Sequence, residues 1–163
     1  MLNNNNNNNN NNYYAIAFNE LGYLQSAINS EYFNPMTVSC QQVAEKALKS
    51  VAELCITDDR IFRSHHLRQI NSAIYSEGID LNLDDADLAY LKDFYFCARE
   101  PGEDFVEVKE YEFIKSLEIM YQVLNSVNKF RIEKNLYVKI FNKKYPDSYV
   151  NDSLDSSINA TEE

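Results

Sequence analysis

Glycine and proline are scarce, three of each in 163 residues, and tryptophan is absent. Barrels and sandwiches need turn residues of these kinds every ~8–12 positions, so an all-β architecture lacks its punctuation. Cysteine is also scarce. Cys40, Cys55 and Cys97 are odd in number and show no C-x-x-C spacing, which argues against a closed disulfide framework and a thiolate zinc site and points to a reducing, cytoplasmic compartment. Only two histidines occur, and there is no Gly-rich phosphate loop, His-Glu-x-x-His pattern or Ser-centred elbow. Most familiar enzyme classes drop out, and neither a metal nor a cofactor is expected. No run approaches the ~18 apolar residues of a membrane span, and Met1-Leu2 is followed by ten Asn with no basic segment, so neither a membrane nor a secretory signal is expected. Cations are outnumbered, 15 Lys+Arg against 25 Asp+Glu, and the net charge of −10 disfavours non-specific attachment to nucleic acid.

What remains is ample for one core: 45% of residues are hydrophobic. Residues 1–12 are a low-complexity Asn tract with almost nothing to bury, and 146–163 carry five acids and no Lys or Arg, so both are expected to be solvated tails around a folded unit over 13–145.

Within that unit the apolar period is helical. Tyr14, Ala17, Phe18, Leu21, Leu24, Ala27 and Ile28 predict a first helix, and Cys40, Val43, Ala44, Ala47, Leu48, Val51 and Cys55 a second over about 36–56. Gln42, Glu45, Lys46, Lys49 and Glu53 fall between those positions and read as its solvated face, with Glu45 and Lys49 an i,i+4 pair. A third helix is expected from about His65 to Ser76, capped by Ser64 and ended by Gly78. Asn82 or Asp84 would cap a fourth, through Leu88, Leu91, Phe94, Tyr95 and Ala98, broken at Glu100-Pro-Gly. A fifth, through Tyr111, Ile114, Leu117, Tyr121 and Leu124, would run past Asn128 towards Asn142. The expected fold is all-α, an up-and-down bundle of about five helices.

Two groups of residues suggest chemistry. Arg60 and the adjacent His65 and His66 include an R-x4-H spacing, in which an arginine could stabilise phosphorane charge and a histidine move a proton in metal-free RNA cleavage. The competing reading is a surface or capping role at a helix start. Lys129, Arg131, Lys134, Lys139, Lys143 and Lys144, interleaved with Tyr137, Phe141 and Tyr145, could make phosphate contacts with base stacking. Alternatively they are a helix C-terminus favouring cations, with the aromatics packed inward.

Three blocks taken in order, Ser39-Cys-Gln-Gln-Val-Ala-Glu-Lys-Ala-Leu-Lys49, His65-His-Leu67 and Leu91-Lys-Asp-Phe-Tyr-Phe-Cys-Ala-Arg-Glu-Pro101, resemble the HEPN domain family over roughly Tyr13 to Asn128. The resemblance implies a five-helix bundle that pairs as a homodimer, often with a nucleotidyltransferase partner. Some members of the family are metal-independent ribonucleases with an R-x4-6-H motif near a late helix; others bind nucleotide or RNA without cleaving. Arg99 matches the arginine of the third block, but no histidine follows it, and Glu100 replaces an aromatic. The leading expectation is therefore a non-catalytic module that dimerises and binds a nucleotide, RNA or a nucleotidyltransferase, with Arg99, Lys46 and Lys49 for phosphate and Tyr95 for stacking. The alternatives are a ribonuclease toxin of a toxin–antitoxin pair using Arg60, His65 and His66, and a purely structural dimerisation module.

Overall fold

A computed structural model describes residues 12–98 and 105–134. Apart from Asn12, the expected tails lie outside the described residues, as do Arg99 and the basic and aromatic positions beyond Lys134. Six helices run in order: α1 Tyr13–Ala27, α2 Phe33–Cys55, α3 Asp59–Arg63, α4 Leu67–Ser76, α5 Asp85–Cys97 and α6 Glu110–Glu133. No strand occurs among the described residues, and the helices form the expected all-α bundle. None of them is long and apolar enough to cross a membrane.

Local chemistry sets most boundaries. The Asn12 side chain accepts the Ala15 N–H at 2.8 Å, so the last asparagine of the tract is the N-cap of α1. Asp84, rather than Asn82, caps α5 by accepting the N–H groups of Ala86 and Asp87. Asn82 instead takes a left-handed conformation, φ 51°. Gly78, at φ 80°, closes α4: its N–H reaches the Tyr75 carbonyl while Ile79 N–H reaches Ile74, the paired bonds of a Schellman ending.

Two boundaries differ from expectation. The Thr57-Asp-Asp-Arg stretch is not all link, because Asp58 caps the short α3 through the Arg60 N–H. Ser64 does not cap the next helix. Its hydroxyl accepts the His66 N–H and donates to Gln69, so α4 starts only at Leu67 and His65 stays in the link. This shift by about half a turn decides where the imidazole lies.

The architecture is organised around α2, which packs against α1, α4, α5 and α6. Cys40, Val43, Ala44, Ala47, Leu48 and Val51 are all inaccessible to solvent. So, too, are Gln41, Glu45 and Lys49, at 0%, 1% and 2% exposure. Of the expected solvated face, Glu45 and Lys49 are thus buried and form a polar stripe with Gln41, while Gln42, Lys46 and Glu53 are half-buried, because a central helix has neighbours on nearly every side. Arg131 is also taken out of the expected cationic surface: it is buried, with its guanidinium 4.2 Å from the centre of the Tyr14 ring and Nη1 3.4 Å from the Ser50 carbonyl. Burial pushes the Tyr14 phenol up to about 12, opposed by the Arg131 charge.

Candidate functional site

Helical geometry brings Gln41, Glu45 and Lys49 onto one stripe of α2, each about one turn from the next. The link between α3 and α4 crosses this stripe and lays His65 on it. The Glu45 carboxylate is the hub. Its Oε1 accepts from Lys49 Nζ at 2.7 Å and Lys46 Nζ at 2.9 Å; its Oε2 meets Gln41 Nε2 at 3.2 Å and His65 Nδ1 at 3.0 Å. Gln41 Nε2 also donates to the His65 carbonyl at 3.3 Å, which fixes the orientation of its amide. On its other side the imidazole stacks on Tyr95 from α5, ring centres 5.3 Å apart and planes 19° from parallel. Lys49 lies 5.8 Å from the centre of the Tyr13 ring at the start of α1.

The electrostatics follow from this arrangement. Burial alone would raise the Glu45 carboxyl, but hydrogen bonds from Lys49, Lys46 and His65, with the Lys46 charge, hold it down at about 2. Burial pushes the Lys49 ammonium below its ordinary value, and Glu45 pulls against that shift. Two ammonium groups face one carboxylate, leaving a formal surplus of one positive charge even with a neutral imidazole. This is a local cationic spot in a chain of net charge −10. The exposed groups at its edge are the Lys46 side chain, 25% accessible, and His65, 48% accessible.

Stability should therefore fall in acid. A carboxyl lowered from 4.5 to about 2 contributes fully above its unfolded value and loses that contribution as pH drops towards 2, on the order of 3 kcal/mol in all. Glu53, raised by burial, works in the opposite sense. Asp58 and Glu107 are lowered as well, by their bonds to Arg60 and Lys109. Urea unfolding between about pH 5 and 2.5 of a Glu53→Gln variant, with and without Glu45→Met and Lys49→Met added, isolates the Glu45 limb; an equal decline in both would contradict its assignment.

Of the residues expected from sequence, Lys46, Lys49, His65 and Tyr95 come together here, and Arg99 lies outside the described residues, directly after Ala98 beyond α5. Lys49 is not at the surface: its ammonium is occupied by Glu45. Arg60 is not part of the cluster. Its guanidinium, on the exposed α3, forms a two-pronged pair with Asp58, with Nε and Nη2 at 3.0 and 2.7 Å. His66 starts α4 on the exposed side. Sequence reasoning missed Gln41 as a member and Glu45 as the centre. Their i,i+4,i+8 register with Lys49, in a helix apolar at most other positions, was the available signal. Among the described residues no group of three His, Cys, Asp or Glu side chains could hold a metal ion.

A family model for the HEPN domain matches residues 11–130. No curated protein and no solved structure matches the chain.

Proposed function

We propose, on the premise that this chain belongs to the HEPN domain family, that it is a non-catalytic nucleotide-binding module working as a homodimer. The bound phosphate meets Lys46 at the edge of the Glu45 cluster, Arg99 is the second cation on the strength of its match to the third sequence block, and the base stacks against the His65–Tyr95 pair. The observation that carries this reading is the convergence of Lys46 from α2 and His65 from the α3–α4 link on one buried carboxylate, with Tyr95 of α5 stacked on the imidazole. Such a spot offers an anion a local positive surplus and offers a base a half-exposed imidazole already backed by an aromatic ring. In this reading Lys49 supports the site by neutralising Glu45 rather than by touching phosphate.

Isothermal titration with ATP at low salt tests the proposal. Lys46→Ala and Arg99→Ala are each expected to weaken binding about tenfold or more, the usual worth of one charge-assisted hydrogen bond. Wild-type affinity in both variants, or no ATP binding by the wild-type protein, would refute it.

The family includes ribonucleases, and one observation favours that second reading: a carboxylate bound to Nδ1 of a half-exposed histidine is a familiar way to orient an acid–base group. Against it, Arg60 is committed to Asp58, away from the cluster. Growth arrest on expression, relieved by His65→Ala, would decide for cleavage.

A further inference from the structure

The Glu45 carboxylate has more donors around it than a side chain of its size normally gathers. Each oxygen faces two of them, Lys46 and Lys49 on Oε1, Gln41 and His65 on Oε2. Lysine ammonium and amide nitrogen are obligate donors, so the carboxylate is ionised and acceptor-only. Its one partner with a choice is His65. Facing an acceptor at 3.0 Å, Nδ1 must carry the proton. The ring is held in two further ways, by stacking on Tyr95 and by the bond from Gln41 to the His65 carbonyl. The imidazole is thus fixed in position, plane and tautomer while nearly half of the side chain stays accessible.

We infer that Glu45 is the positioning residue of this site: it keeps a proton on Nδ1 of His65, so that when the ring is neutral Nε2 meets the bound nucleotide as a hydrogen-bond acceptor. The inference rests on the nucleotide-binding reading above and adds which part of the nucleotide His65 reads. Phosphate oxygens are themselves acceptors and are repelled by the lone pair of a neutral Nε2, so phosphate is left to the cations. The complementary group is a hydrogen donor, namely a ribose hydroxyl, since a base stacked over the ring face cannot reach the in-plane lone pair with its own amino group. A site built around an acceptor discriminates against ligands lacking the matching donor.

The test has two parts. Long-range proton–nitrogen NMR of the full chain at about pH 9, where imidazole is neutral, reads the tautomer directly, with His66→Gln assigning the two rings. His65 is expected to be wholly Nδ1–H in the wild-type protein. It should become a mixture in the double variant Glu45→Met, Lys49→Met, which removes the carboxylate and its buried counter-charge together. An Nε2–H ring in the wild type, or an unchanged tautomer in the double variant, would overturn the positioning role. Titration at the same pH with ATP and 2′,3′-dideoxy-ATP then tests the acceptor role: loss of the sugar hydroxyls should weaken binding about tenfold, and equal affinity for both would overturn it. If ATP does not bind while His65 is Nδ1–H, the nucleotide reading fails and the positioning role stands.

Discussion

Glu45→Ala is expected to lower the free energy of unfolding by about 3–5 kcal/mol, the cost of leaving a buried charge without its partner. Lys49 is 2% exposed and its ammonium has Glu45 as its hydrogen-bonded counter-charge at 2.7 Å. Without the carboxylate it must either stay charged in an apolar interior or lose its proton, already made easier by burial. The reciprocal substitution should be milder. Lys49→Met removes a desolvated cation of similar length, while Glu45 keeps Lys46, Gln41 and His65. Replacing both with methionine should recover much of the loss, because apolar residues of similar volume often substitute for a buried ion pair at little cost. Urea unfolding of the three variants compares these losses. Equal losses for the two single substitutions, or a loss below about 1 kcal/mol for Glu45→Ala, would show that the carboxylate is not the hub of the cluster.

Leu48→Ala should be nearly as damaging, at about 2–5 kcal/mol. Leu48 is fully buried on the one helix that touches α1, α4, α5 and α6, so few ways exist for neighbours to close the space left by its side chain. The midpoint of urea unfolding should fall with the slope unchanged, because the surface exposed on unfolding is the same. Preserved stability would mean that the helices around α2 can collapse onto it. The cluster itself should be intact in this variant, with the His65 tautomer as in the wild type, which separates loss of packing from loss of the site.

Helices whose partners are on one side were legible in sequence both in position and in burial, whereas α2, enclosed on nearly every side, was legible in position only. In α4, Leu67, Ile70 and Ile74 are buried while Arg68, Gln69 and Tyr75 face water, and the apolar period marks the helix clearly. The short α3 left no such trace: five residues with only Ile61 buried are too few to show a period. The candidate site was legible in part. Lys46, Lys49, His65 and Tyr95 were visible as chemically useful side chains, but Glu45 read only as half of a surface pair with Lys49, since an i,i+4 Glu–Lys spacing looks the same in water and in a core.

By itself the sequence determined the class of fold, most helix positions, the ending at Gly78 and the family, and narrowed the α5 cap to Asn82 or Asp84, because each depends on short-range periodicity, on one turn of backbone or on residue identity. Only the tertiary structure decided that α2 is enclosed on nearly all sides, that its charged stripe is buried, and that His65 crosses onto it. Burial depends on how many neighbours surround a helix, and those neighbours come from distant parts of the chain. A single helix's pattern records which residues prefer water, not how much water reaches them.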